Sequence, residues 1–278
     1  LHLGNYFGMM SRMIKYQEEN ELFCFIANYH AMTTLPDSDT LKSNTFNAAC
    51  DFLALGLDPE KSTFWVQSDV PKVTELTWLI ASHTSVGLMD RATSYKNKIA
   101  QGIKPNMGLF SYPVLMAADI LLFDSQIVPV GKDQKQHLEM TRDMAIRFNS
   151  VYGDTLIVPE PDIEENTQLI PGIDGQKMSK SYNNTIPLFD TEKKIRKKVM
   201  KIVTDTTEID HPKDKNTPLF NLYSMFLNID EQKNLSDRYD GTSLRYGDVK
   251  QELFELIMDY FGPFREKRES LVSNPMHV

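Results

Sequence analysis

The chain holds 278 residues, 41% hydrophobic and 24% charged, enough apolar material for a sizeable core and a length that suits two domains. A net charge of −8 excludes an indiscriminate nucleic-acid coat, although a local basic patch on an acidic protein still engages phosphates. No apolar run approaches the length that spans a bilayer, nothing at the start reads as a signal peptide, and Cys24 and Cys50 lack metal-ligand spacing, so the expectation is a cytoplasmic protein with buried free thiols and no membrane partner.

Residues 6–19 place Phe7, Met10 and Ile14 at helical spacing. Residues 22–27 form a continuous apolar run, the pattern of a buried parallel strand. Asp37 or Ser38 caps a helix that runs to about Leu55 and stops at Gly56. A short strand is expected over 63–67, then a long helical region from about Pro71 with Trp78 on its buried face. Residues 90–106 are polar and lysine-bearing and read as a partly mobile segment. Pro113 is expected to start a helix containing Leu115 to Leu122. Ile127 to Val130 reads as a strand, Gly131 turns it into a helix through Phe148, and Thr155 to Val158 reads as another strand. This alternation predicts an α/β fold with a Rossmann-like parallel sheet over residues 1–190, and past 190 the strands give way to a helical domain over 191–278. The chain opens directly on His2-Leu3-Gly4-Asn5, where a nucleotide-binding α/β domain has a strand before the turn. The expectation is therefore that the first strand is missing from this chain, and the end at Val278 is similarly abrupt.

Four segments carry chemistry. Gly175-Gln176-Lys177-Met178-Ser179-Lys180-Ser181 puts two lysines and two hydroxyls within five residues, after Pro171 and Gly172. Glycine lets such a loop approach a polyphosphate closely while the ammonium groups supply positive charge, which reads as a phosphate clamp. In His2-Leu3-Gly4-Asn5 a glycine at a helix start lets a nucleotide lie against the backbone, and the imidazole can donate to a phosphate oxygen. Tyr112, Met116 and Asp119 fall at i, i+4 and i+7, on one helical face. A carboxylate among apolar neighbours needs a donor, supplied either by a ligand or by nearby backbone or a lysine. Gly131-Lys132-Asp133-Gln134 follows a strand at the carboxyl edge, where doubly wound sheets bind ligands, or is an ordinary cap with Asp133 as its acceptor.

The stretch Lys177 to Ser181 matches letter for letter the KMSKS signature of class I aminoacyl-tRNA synthetases, and His2 to Asn5 resembles the HIGH motif in its tryptophanyl form. The segment Tyr112-Pro113 through Met116-Ala117-Ala118-Asp119-Ile120-Leu121 resembles the tryptophan-specificity helix of bacterial-type tryptophanyl-tRNA synthetases. The resemblance covers essentially the whole chain. It implies formation of tryptophanyl-adenylate from L-tryptophan and ATP, with Mg²⁺ bridging phosphates, and transfer of tryptophan to tRNA(Trp). It implies a catalytic set of His2, Lys177 and Lys180. For ATP it implies His2, Gly4, Asn5, Lys98, Gly131, Lys132, Asp133, Leu169, Ile170, Lys177, Met178, Ser179, Lys180 and Ser181. For tryptophan it implies His30, Tyr112, Met116, Asp119, Ile120 and Gln134, with Met116 packed on the indole and Asp119 accepting its N–H. His30 read alone is a structural histidine at a strand end, and Lys98 read alone a solvated lysine. A homodimer through apolar faces in residues 70–125 is also implied. Residues 193–201 hold six basic side chains in nine and either meet tRNA phosphates or form a solvated helix face. The alternatives are a tyrosine-specific class I synthetase, against which the Met116 to Asp119 order argues, an unrelated adenylyl-transferring enzyme, and a non-catalytic relative that binds tRNA or tryptophan.

Overall fold

A short helical turn, α1 (Leu3–Asn5), leads through a π-helical stretch, Tyr6–Met10, into α2 (Ser11–Glu19). The protein is seen here as a computed structural model that describes residues 1–33, 37–100, 102–163 and 169–278, the side chains of Ser94, Asp133 and His277 lying outside the described set. Next come β1 (Leu22–Ile26), α3 (Asn28–Ala31) and α4 (Ser38–Ala54). Asp37 caps α4 as expected, its Oδ1 accepting the Thr40 N–H at 2.8 Å, and Gly56 at φ +115° turns the chain away after the helix. β1 is less enclosed than its apolar run suggests, because Phe23 is exposed and only Cys24 within the strand is buried.

The chain continues through β2 (Ser62–Val66), α5 (Lys72–Ala81), α6 (Val86–Asp90), α7 (Thr93–Ala100) and α8 (Met107–Leu121). Trp78 corrects one expectation: it is 74% exposed, and the buried stripe of α5 runs through Val73 and Ile80 instead. Within residues 90–106, expected as a polar, partly mobile segment, residues 93–100 form a helix. Pro113 does not start α8 but sits inside it, buried; the start is set by Asn106, whose side chain accepts the Leu109 N–H at 2.8 Å. Packing in the core offsets the hydrogen bond that proline removes.

β3 (Ile127–Val130) leads into α9 (Lys135–Tyr152), then β4 (Glu160–Ile163). The strand expected over 155–158 is absent because a side chain takes its backbone groups. Asn149 Oδ1 accepts from the Thr155 and Leu156 amides, and its Nδ2 donates to the Leu156 carbonyl. Pairing begins one residue past Pro159: β3 and β4 run parallel, with Ile127 opposite Glu160 and Val130 opposite Ile163. β1 and β2 pair in a sheet of their own among the described residues. Thereafter the elements are α10 (Glu192–Val199), α11 (Pro218–Ser224), α12 (Ile229–Asp240) and α13 (Tyr246–Ser273).

The elements group into two compact units. One takes Leu1–Leu22, Asn47–Ser62 and Gln168–Val278; the other takes Phe23–Phe46 and Thr63–Thr167. The core of the first joins Leu3, Met10, Met178 and Ile186 to Ile195 and Val199 of α10 and to Leu253, Ile257 and Phe261 of α13. The core of the second joins Val73 and Ile80 to Val114, Ala117 and Leu121 of α8 and to Met140 and Met144 of α9.

Phe261 anchors α13 in the first unit. Fully buried, its ring meets Tyr6 edge-on at 4.9 Å and also faces Tyr260 and Phe264. Phe261→Ala should destabilise the protein by about 3–5 kcal/mol, read as a lowered urea midpoint with a scarcely altered slope. A loss below about 1 kcal/mol would mean that the site collapses around the cavity.

Candidate active site

The first unit brings the two ends of the signature pattern into contact. Leu3 donates its N–H to the Ile186 carbonyl at 3.0 Å, Leu188 donates to the Leu1 carbonyl at 3.2 Å, and His2 bridges Pro187 in antiparallel fashion. This short pairing lays the first turn on the chain just past the lysine loop. Gly4 then rests on the loop itself, its N–H pointing at Met178 Sδ at 3.2 Å. A Cβ at Gly4 would stand 3.0 Å from His2 Nδ1 and 3.2 Å from Met178 Cβ, so only glycine fits without a shift. Asn5 Oδ1 accepts the His2 N–H at 3.1 Å and closes the turn.

The lysine loop is a tight hairpin. Gly172 donates to the Gln176 carbonyl, Met178 donates to the Ile170 carbonyl at 2.8 Å, and Gly175 turns the chain at φ +85°. Met178 is buried and Lys177 and Lys180 are exposed, neither with an ion-pair partner among the described residues. Ser179 Oγ lies 2.7 Å from Ser181 Oγ and accepts the Ser181 N–H. Asn184, which sequence reasoning passed over, is buried behind the hairpin and bonded to three of its residues. Lys198, from the basic run, donates to both oxygens of Asn183 at 3.0 and 3.1 Å. Ile195 and Val199 of the same run are buried, and Arg196 bonds Gln251, so much of that run serves the fold.

His2 is a neutral imidazole at neutral pH. Burial, with the Lys180 ammonium adding to it, pushes its pKa down to about 4. Its Nδ1 is buried without a hydrogen-bond partner among the described residues.

The second unit builds a polar pocket around α8. Asp119 is buried, and among the described residues its donors are neither backbone nor lysine. Gln67 Nε2 donates to both carboxylate oxygens at 2.7 and 2.9 Å, and His30 Nε2 donates to Oδ2 at 2.8 Å. Gln67 is itself fully buried and accepts the Tyr29 N–H at 3.0 Å. One turn earlier on α8, the Tyr112 hydroxyl meets His137 Nε2 at 2.6 Å, and His137 Nδ1 meets Gln134 Oε1 at 3.1 Å. Because an amide oxygen only accepts, His137 donates from Nδ1 and accepts from Tyr112 at Nε2. Met116 is half-buried between these positions on the same helix, and Ile120 is buried behind them.

Lys98, in the last turn of α7, stands over the Tyr112 ring at 4.9 Å. Gly131 and Lys132 are exposed at the carboxyl end of β3, where a 3₁₀ turn, Lys132–Gln134, opens α9; the side chain of Asp133 lies outside the described residues. Leu169 is exposed and Ile170 buried, the carbonyl of Ile170 being taken by Met178. Gln67 follows a strand at its carboxyl end and His137 sits one helical turn past Gln134, so both carried a positional signal. Asn184 carried none.

A glycine turn docked on a two-lysine hairpin, in a chain that also carries a parallel strand–helix–strand arrangement, is the pattern of a class I aminoacyl-tRNA synthetase. The chain belongs to the tRNA synthetases class I (W and Y), whose family profile matches residues 1–262. It is 53% identical to the tryptophan–tRNA ligase of Fusobacterium nucleatum over 279 aligned positions, covering all of this chain and 86% of that protein. It is 50% identical to the tryptophan–tRNA ligase of Campylobacter jejuni, again over its whole length and 88% of the relative. The crystal structure of the Campylobacter jejuni tryptophanyl-tRNA synthetase complexed with ADP and tryptophan superposes with a TM-score of 0.96, covering 100% of this chain and 87% of that one. The fold is thus Rossmann-like α/β with a helical C-terminal part, as the alternation of elements predicted.

Two outcomes follow from the site's electrostatics. The folded pKa of His2 lies below its ordinary 6.5, so the unfolded chain binds that proton first as pH falls. The stability it confers is intact above about 6.5 and is lost as pH falls toward about 4, and an NMR titration should place its midpoint near about 4. Gln67→Leu strips Asp119 of two hydrogen bonds and orphans the Tyr29 N–H, which should cost about 1–3 kcal/mol in chemical denaturation. A neutral result would mean that water replaces the amide.

Proposed function

We propose that the chain acts as a tryptophan–tRNA ligase, activating L-tryptophan with ATP and passing it to tRNA(Trp). The observation that carries the tryptophan reading is the buried Asp119 carboxylate, held by Gln67 and His30 on the face of α8 that also bears Tyr112 and Met116. Indole offers one N–H donor and no acceptor, which suits a carboxylate that still has accepting capacity. Phenylalanine would leave that carboxylate desolvated with one partner fewer, a larger penalty than an apolar slot can impose. Oxygen atoms of Tyr112 and Gln134 accept from the amino group, and Met116 packs on the ring.

The carboxylate of tryptophan attacks the α-phosphorus of ATP, one P–O bond forms, the bond to the β-phosphate oxygen breaks, and pyrophosphate leaves. No protein nucleophile is needed. ATP enters with Mg²⁺ on its phosphates, and the backbone at Gly4 and the His2 and Asn5 side chains cradle it. Lys177 and Lys180 stabilise the charge that gathers on the departing pyrophosphate, their exposure and lack of ion pairs supporting that task. Lys98, Gly131, Lys132, Asp133 and the backbone at Leu169 and Ile170 complete the nucleotide contacts, with Met178, Ser179 and Ser181 shaping the loop. The 3′-terminal hydroxyl of tRNA then attacks the adenylate carbonyl and releases AMP. Residues 1–190 carry the adenylation chemistry and 191–278 meet tRNA, with Lys193, Lys197 and Lys201 exposed toward solvent. The protein works in the cytoplasm as a homodimer joined through residues 70–125, where Trp78, Leu79 and Val86 are exposed. Among the described residues no helix is long and apolar enough to cross a membrane.

ATP–pyrophosphate exchange with tryptophan, tyrosine and phenylalanine offered separately tests this. Exchange is expected with tryptophan alone, and Asp119→Ala should lower kcat/KM for tryptophan by about 100-fold or more. Tyrosine-dependent exchange would overturn the specificity, and no exchange with any amino acid would overturn the enzyme.

A further inference from the structure

We propose that Asn184 is a positioning residue that presets the two lysines of the loop, with Asp174 as its hydrogen-bond counterpart and Gly172 as the gap that admits it. The proposal rests on the reading that Lys177 and Lys180 bind the phosphates of ATP.

Asn184 is 1% exposed, yet both ends of its amide are used. Its Oδ1 accepts the Ser179 N–H at 2.7 Å; its Nδ2 donates to the Lys177 carbonyl at 3.0 Å and to Asp174 Oδ1 at 2.8 Å. These bonds fall on the residues either side of Met178, whose own side chain sits beneath the Gly4 amide and whose N–H is held by Ile170. The backbone that launches Lys177 and Lys180 is therefore tied before, at and after the methionine. The exposed ammonium groups stay free to meet a ligand while the peptide beneath them is not free to turn. Holding a reacting group's supports in place is worth more than the bonds themselves, since a shift of about 1 Å costs on the order of 100-fold in rate.

Three further observations point the same way. A Cβ at Gly172 would overlap the Asn184 side chain, so the hairpin keeps a glycine there to make room for this amide. The chain leaving the loop is also fixed, because Asn183 adopts the left-handed conformation at φ +52° and Lys198 of α10 grips both its oxygens. The Asp174 carboxyl is held below its ordinary range, chiefly by the Asn184 amide, which marks the pair as an ionic hydrogen bond that favours the charged carboxylate. An aspartate at 184 could still accept from Ser179 but would set a second negative charge against Asp174 and leave the Lys177 carbonyl without its donor.

The test is steady-state pyrophosphate exchange with ATP and tryptophan varied separately, on the full chain. Asn184→Asp should lower kcat/KM for ATP on the order of 100-fold, while tryptophan binding measured by equilibrium dialysis without ATP stays at the wild-type value. Asp174→Asn added to Asn184→Asp restores one neutral–charged pair and should recover about tenfold of the loss, a non-additivity that a general loss of folding would not give. Gly172→Ala, which displaces the amide without removing it, should also weaken the use of ATP and spare tryptophan binding. Wild-type ATP kinetics in Asn184→Asp, a parallel loss of tryptophan binding, or failure of the double variant to recover would each overturn the proposal. Lys177→Ala and Lys180→Ala run alongside separate the two levels. If they cripple exchange and Asn184→Asp does not, the positioning role fails and the phosphate reading stands. If they leave exchange unchanged, the phosphate reading fails and takes the proposal with it.

Discussion

The contact between Gly4 and Met178 is the constraint on which the lysine hairpin and the first turn depend. The two residues lie 174 positions apart, and their approach is possible only because one has no Cβ and the other is a flexible thioether. Everything around the contact serves to make it reproducible. Residues 1–3 pair with 186–188, so the first turn and the exit of the lysine loop share one backbone register. Met178 also belongs to the same apolar cluster as Leu3, Ile186 and Leu188. The loop therefore has a buried foot and two charged arms, a division of labour that lets it be ordered and accessible together.

The long helix α13 is tied into that arrangement. Arg265 donates to the Leu188 carbonyl at 2.7 Å, on the segment that pairs with Leu1. Arg268, three residues on, bonds Asp51 and Asn47 and lies over the Phe189 ring. Residues on either side of position 190 thus share one compact unit, and the helical end of the chain helps to support the first turn.

The polar cluster around Asp119 follows a different logic. Here a charge is buried, and what makes it tolerable is a set of side-chain donors: Gln67 with two bonds and His30 with one. A lysine or arginine in their place would neutralise the carboxylate and spend its accepting power. The amide and the imidazole fix the orientation of the carboxylate through directed bonds. The chain from Tyr112 through His137 to Gln134 does the same for the tyrosine hydroxyl, fixing its proton toward the imidazole and its lone pairs away. Selectivity in such a pocket comes from directed bonds, which a purely apolar slot cannot supply.

Much of this was legible in one sequence because the motifs are local. Five consecutive residues identify the lysine loop, four the first turn, and the i, i+4, i+7 spacing of Tyr112, Met116 and Asp119 their common face. Helix and strand periodicity likewise indicated most elements and the α/β order. The misreadings arose where a distant or single side chain overrode the local pattern. Asn149 took the backbone groups of 155–156, Asn106 rather than Pro113 began α8, and the stripe of α5 passed two residues to one side of Trp78. The partners of Asp119, the imidazole between Tyr112 and Gln134, and the amide behind the lysine loop were decided by tertiary structure alone. Each is a polar side chain whose meaning lies in what it touches, and hydrogen-bond partners 52 residues apart, as Gln67 and Asp119 are, leave no periodicity to read. The sequence by itself determined which chemistry the chain carries; only the folded structure decided what holds that chemistry in place, because local spacing encodes faces and turns but not the contacts that close between them.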